Sequence, residues 1–213
     1  MSGLRLQCRD KVLDLSCPAI MGIVNLTPDS FSDGGQLYAG NRLNQSKTLV
    51  AIEKMLNDGA DIIDLGGEST RPGAAEVSEQ QELERILPIL ELVLDRFDVL
   101  VSVDTSTAIV IREASVKGAH LINDVRALTR DGALEAAAQS RLPVCLMHMQ
   151  NQPQTMQIKP GYQDVAAEVL AFLMSRKQDC LDAGIAAEQI ILDPGFGFGK
   201  SLTHNLTLFN AID

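Results

Sequence analysis

Residues 99–125 read VLVSVDTSTAIVIREASVKGAHLINDV and hold one complete structural unit. The run at 99–103 is apolar without alternation, as in a strand covered on both faces, and it ends on Asp104. Residues 107–117 carry a helical pattern, and a second short apolar run, 121–122, ends on Asn123. Strand, helix and strand in that order mean parallel strands joined by a helical crossover. The unit recurs along the chain. Further apolar runs lie at 19–24, 62–65, 144–147 and 190–192. Between them, helices are expected over about 46–57, where Leu49, Ile52, Glu53 and Leu56 separate an apolar face from a polar one, and over 78–94, 132–139 and 164–183. Ser78 and Gln81 have capping-box spacing, and Gly184 stands where a helix C′ glycine is expected.

Two architectures build such an alternation. An open doubly wound sheet usually carries a glycine-rich phosphate turn after its first strand; here that strand runs into Asn25-Leu26-Thr27-Pro28-Asp29 instead. Each later strand also ends near a polar residue: Asp64, Asp104, Asn123, His148 and Asp193. One such residue is ordinary capping or turn chemistry. Six in succession match the mouth of a (β/α)8 barrel, where strand C-termini carry the site. No low-complexity stretch, charge block or Pro/Ser-rich linker interrupts the chain, so residues 1–213 are expected to form a single domain.

Composition narrows the function. The chain has 213 residues, 46% hydrophobic and 22% charged, which excludes disorder, collagen-like repeats and coiled coil. With 18 basic against 28 acidic residues, the net charge of −10 argues against nucleic acid or an anionic membrane as partner. No apolar run approaches the length of a bilayer span, and the first residues lack a secretory apolar core, so a cytoplasmic protein is expected. The four cysteines, Cys8, Cys17, Cys145 and Cys180, form no close pair and read as reduced thiols, with Cys145 in the core.

The polar segments carry the chemistry. Residues 25–35, NLTPDSFSDGG, form a long turn-rich loop in which Asn25 offers a hard oxygen suited to Mg²⁺ shared with a substrate phosphate, or an ordinary Asx turn. Residues 64–73, DLGGESTRPG, bring a hydroxyl donor at Thr70 and a guanidinium fork at Arg71. Asp104, Asn123 and Asp193 can hold a ring that presents amino and ring N–H donors, as a pterin or guanine does, or a divalent metal; without paired histidines a zinc site is not expected. Met147 suits packing on a flat heterocycle. His148 reads as a hydrogen-bonded structural histidine, and Lys200, after DPGFGFG, as a phosphate contact or a solvated charge.

Together, residues 21–35 (MGIVNLTPDSFSDGG) and 64–73, followed in order by Val103-Asp104-Thr105, Ile122-Asn123-Asp124, Met147-His148-Met149 and Asp193-Pro194-Gly195-Phe196-Gly197, strongly resemble the dihydropteroate synthase family. The resemblance spans essentially the whole chain. It implies an α/β fold, a (β/α)8 TIM barrel that condenses (7,8-dihydropterin-6-yl)methyl diphosphate with 4-aminobenzoate to give 7,8-dihydropteroate and diphosphate. It further implies that Asn25 binds Mg²⁺ and the diphosphate, that Asp104, Asn123 and Asp193 hydrogen-bond the pterin, and that Met147 and Phe198 pack near its ring. Thr70 would contact substrate at the mouth, while Phe31, Ser32, Arg71 and Pro72 would lie on loops closing over 4-aminobenzoate, the site that sulfonamides mimic. The family has a seventh strand with a Ser-Arg-Lys segment and an eighth with an Arg-x-His segment, and it dimerises largely through its last helices. Strands seven and eight are not found before Asp213, so an incomplete, unstable and weakly active barrel is expected, and the family homodimer is left open for this chain. Two rival readings share the strand-end residues: a methyltetrahydrofolate-type pterin methyltransferase barrel and a non-catalytic pterin-binding module.

Overall fold

The computed structural model describes residues 4–27, 38–39, 42–69, 77–150 and 160–212. The strands are β1 (Arg5–Cys8), β2 (Lys11–Asp14), β3 (Met21–Asn25), β4 (Tyr38–Ala39), β5 (Arg42–Leu43), β6 (Ile62–Gly66), β7 (Leu100–Asp104), β8 (Leu121–Asp124), β9 (Val144–Met147) and β10 (Ile190–Asp193). The helices are α1 (Gln45–Asn57), α2 (Glu79–Arg96), α3 (Ala108–Lys117), α4 (Ala133–Ser140), α5 (Val165–Asp182) and α6 (Leu202–Phe209).

Six strands make one parallel sheet in the order β10-β9-β8-β7-β6-β3. Each new strand is added beside the one before it, always in the same direction. A doubly wound sheet reverses its strand order once to create its binding crevice; this sheet never does, and it follows the sequential course of a (β/α) barrel. Among the described residues this parallel sheet has six strands, against the eight of a closed (β/α)8 barrel, with β3 and β10 at its two edges.

The outer face of the sheet is covered by the helices, with α2 packed on α3 and α3 on α4. Val101, Val103, Ile122, Val144 and Leu146 from the strands meet Ile86, Ile89, Leu90, Val110 and Ile111 from the helices in one buried cluster. Burial on both faces is why the strand sequences are apolar without alternation. The antiparallel hairpin β1–β2, for which the sequence offers only two four-residue segments, seals the other end. Its Leu6, Cys8 and Leu13 pack on Ile62 and Leu100, the first residues of β6 and β7. The polar strand ends gather at the opposite end of the sheet.

Helix α2 begins with the expected capping box: Ser78 Oγ accepts from the Gln81 amide at 3.3 Å, and the Gln81 side chain accepts from the Ser78 amide at 3.1 Å. Ser78→Ala removes one of these two bonds and should cost about 1 kcal/mol, read as a lower urea midpoint at unchanged slope. Gly184, at φ +91, directly follows the C-cap Ala183 of α5, as the sequence requires.

Candidate active site

Strand register builds the mouth. Asn25 lies opposite Gly66, Gly66 opposite Asp104, Asp104 opposite Asn123, and Asn123 opposite Cys145. Residues level with one another on parallel strands point to the same face, so this row lines one surface. Gly66 supplies the gap in it: a Cβ there would lie 3.5 Å from Asp104 Oδ2 and 3.6 Å from Asn25 Oδ1. Asn25, Asp104 and Asn123 are thus brought together by four neighbouring strands, β3, β6, β7 and β8, and one missing side chain.

A second polar layer lies two residues deeper. β6 continues to Gly66, so Asp64 sits within the strand rather than at its end, because the residues after it still pair with β7. Asp64 is buried and accepts a 3.1 Å hydrogen bond from Asn123 Nδ2. Asp64 Oδ1 and Ser102 Oγ, level with each other on β6 and β7, are both buried without a hydrogen-bond partner among the described residues.

The electrostatics are those of crowded carboxyls. Burial pushes Asp104 well above the usual carboxylate range, and the charges of Asp64, Asp124 and Glu82 push it further, against the opposing Arg126. Burial also raises Asp64; the Ser102 hydroxyl and the Asn123 amide work against it, although the hydroxyl falls short of hydrogen-bonding geometry. Such a cluster is relieved by a ligand that brings N–H donors or positive charge.

On the other flank, Met147 at the end of β9 lies opposite Asp193 at the end of β10. Asp193 Oδ1 accepts from the Gly195 amide at 2.7 Å, while its carbonyl accepts from the His148 amide at 2.9 Å. The turn that follows is held from within. Lys200, expected at a phosphate or in solvent, is instead buried, and its Nζ donates to the carbonyls of Gly195 (2.8 Å), Phe198 (3.1 Å) and His148 (3.2 Å). It also lies 3.0 Å from His148 Nδ1. Those carbonyls are acceptors only and cannot pair with one another, so a long cation folded back into the turn satisfies them. Burial lowers Lys200 to about 8, and burial together with the Lys200 charge lowers His148 to about 4. His148 is therefore the structural, hydrogen-bonded group expected of it.

Phe198 lies half-buried in this turn. Thr70, Arg71, Pro72, Phe31 and Ser32 lie outside the described residues. Cys145, read as a core thiol, is instead only partly buried and level with Asn123; burial and the nearby Asp193, Asp64 and Asp104 hold the thiol well above its usual range.

Sequence reasoning missed the polar groups behind the mouth. Glu82 of α2 accepts hydrogen bonds from Thr105 Oγ1 at 2.5 Å and Thr107 Oγ1 at 2.6 Å. Arg126 forks onto Glu68 at 3.0 and 3.2 Å, and Arg130 reaches the same carboxylate at 3.0 Å. One signal was available: Glu82 falls on the same helical face as Ile86, Ile89 and Val93, where a charge needs buried partners. The arginines and Glu68 belong to loops and carried no comparable pattern.

Residues 21–213 match the pterin binding enzyme family. The dihydropteroate synthase of Haemophilus influenzae is 55% identical over 210 residues, covering 99% of this chain and 74% of that protein. A Yersinia pestis dihydropteroate synthase, solved as a sulfonamide drug complex, superposes with a TM-score of 0.92 at 53% identity, covering 98% of this chain and 74% of that one. A Xanthomonas albilineans dihydropteroate synthase solved with 4-aminobenzoic acid gives 0.87 at 44% identity, covering 98% and 72%. The chain belongs to the pterin binding enzyme family. Within that family its function is that of the dihydropteroate synthases, which are transferases.

Proposed function

We propose that the mouth formed by β3, β6, β7, β8, β9 and β10 condenses a pterin methyl diphosphate with 4-aminobenzoate, giving 7,8-dihydropteroate and diphosphate. The observation that carries this reading is the carboxyl-rich floor, in which Asp104 stands beside buried Asp64 and Asn123. A pterin edge offers an amino group and ring N–H donors in one plane, and Asp104, Asn123 and Asp193 would receive them. Asp64 engages the Nδ2 of Asn123, so the Asn123 carbonyl oxygen would be the group that accepts a ring donor. Met147 and Phe198 would pack on the ring, with Thr70 at the mouth and Phe31, Ser32, Arg71 and Pro72 over 4-aminobenzoate.

The chemistry asks little proton transfer of the protein. The methylene C–O bond breaks with its electron pair going to diphosphate, the pterin ring stabilises the methylene cation, and the arylamine nitrogen attacks it and then loses a proton. Holding both partners in line and excluding water from the cation account for the catalysis. Asn25 Oδ1 would hold Mg²⁺ together with diphosphate oxygens and water; one amide oxygen fits an ion that keeps most of its waters and binds substrate phosphates. The bound ion would neutralise charge on the departing diphosphate. Two further strands would close the barrel between β10 and β3. Free thiols at Cys8, Cys17, Cys145 and Cys180 fit a reducing cytoplasm, and the family's homodimer would need contacts from helices beyond α6.

The test is a coupled assay that counts diphosphate released and labelled 4-aminobenzoate incorporated. One diphosphate per dihydropteroate is expected, with no methyl transfer from methyltetrahydrofolate. Pterin binding without incorporation would overturn the catalytic reading in favour of a binding module. No helix among the described residues is long and apolar enough to cross a membrane.

A further inference from the structure

A continuous string of hydrogen-bonded side chains runs directly behind the mouth. Glu82 of α2 is bound by Thr105 and Thr107; Thr107 Oγ1 receives Arg130 at 3.2 Å; Arg130 and Arg126 share Glu68; and Arg126 donates to Ser106 Oγ at 3.0 Å. Ser106 in turn donates to Asp124, which also accepts the amides of Arg126 at 2.7 Å and Leu128 at 2.9 Å. The string joins the segments that follow β6, β7 and β8 to helix α2.

Its two ends meet the ligand-facing residues. Thr105 is the residue after Asp104, and its amide donates to the Asn123 carbonyl at 3.0 Å. Asp124 is the residue after Asn123. β7 ends at Asp104, and beyond the Thr105–Asn123 bond the chain from Thr105 to Thr107 is held by side chains rather than by strand pairing, so the exact set of Asp104 at the strand end depends on them. Both oxygens of Glu82 are taken by hydroxyls, and its side chain is buried, so it cannot swing away without depriving the hydroxyl protons of Thr105 and Thr107 of their acceptor.

We propose that Glu82 is a positioning residue for pterin recognition, holding Asp104 in register with Asn123 through Thr105 and Thr107. The inference rests on the reading that Asp104 and Asn123 bind the pterin. Glu82 touches no substrate, and its effect passes through the turn after β7.

The experiment uses the 213-residue chain with Glu82→Leu, Glu82→Gln, Asp104→Ala and Ile86→Val variants. Affinity for 6-hydroxymethyl-7,8-dihydropterin is measured by calorimetry, thermal stability by calorimetric scan, and hydrogen exchange at the Thr105 amide by NMR. Leucine fills the volume of Glu82 without its acceptors, so the helix should stay packed. Pterin affinity should fall about tenfold or more in Glu82→Leu, with Thr105 exchange about tenfold faster. Glu82→Gln, which keeps one acceptor oxygen, should lie between Glu82→Leu and wild type, and Ile86→Val should change neither reading. Wild-type affinity and wild-type Thr105 exchange in Glu82→Leu would overturn the positioning role. So would affinity losses that merely track melting temperature across Glu82→Leu and Ile86→Val. If Asp104→Ala binds pterin like wild type, the pterin site itself is misplaced, while Thr105 exchange still reports separately on the Glu82 clamp.

Discussion

Gly195→Ala should destabilise the protein by about 4 kcal/mol and dismantle the β9–β10 flank of the site. Gly195 has φ +69, a region that a side chain makes costly, and the added Cβ would sit 2.0 Å from the His148 carbonyl oxygen. That atom is backbone and cannot step aside. It is also one of the carbonyls that receive Lys200, so relieving the clash releases the lysine. Gly197 provides the control. Its φ is +82, but among the described residues nothing lies within 4 Å of its would-be Cβ, so Gly197→Ala should cost only the backbone strain, about 1 kcal/mol. Guanidinium unfolding of both variants reads the difference, and equal midpoints would show that the contact at Gly195 is not present in solution.

Lys200→Met should cost about 3 kcal/mol at neutral pH, because the carbonyls of Gly195, Phe198 and His148 lose their shared donor inside the fold. The pH dependence of the loss is specific. Lys200 falls from its ordinary 10.5 to about 8 and His148 from 6.5 to about 4, so each group binds its proton less readily folded than unfolded. The unfolded chain therefore takes up the extra proton, and wild-type stability should drop as pH falls from 10.5 towards 8 and again from 6.5 towards 4. In Lys200→Met the alkaline slope should disappear, and the acid slope should shrink because His148 no longer faces a neighbouring cation. Urea midpoints across about pH 4 to 10 for the two proteins supply the comparison. Identical slopes would place Lys200 in solvent, one of the two sequence readings of it.

These two residues show where sequence reasoning stopped. The segment DPGFGFGK at 193–200 matches a phosphate loop only weakly, its spacing being wrong for a Walker loop, and it left Lys200 open between a phosphate contact and a solvated charge. The glycine at 195 serves the close approach of one turn to another, and the lysine satisfies carbonyls. Spacing along the chain contains neither fact, since both depend on where β9 ends relative to β10.

The architecture, by contrast, was open to direct reading. Continuous apolar runs between amphipathic helices state that the strands are parallel and covered on both faces, and polar residues recurring at their ends state which end carries the site. Asn25, Asp104, Asn123, Met147 and Asp193 could be picked out because strand endings are local events. That the strands progress without reversal, that Asp64 lies below the mouth, and that Glu82 reaches Thr105 and Thr107 were settled by tertiary structure alone. Periodicity records which face of an element is buried. It does not record which buried group on one element meets which on the next, and a charge such as Glu82 becomes intelligible only when its partners, 23 and 25 residues further along the chain, are seen to be its neighbours.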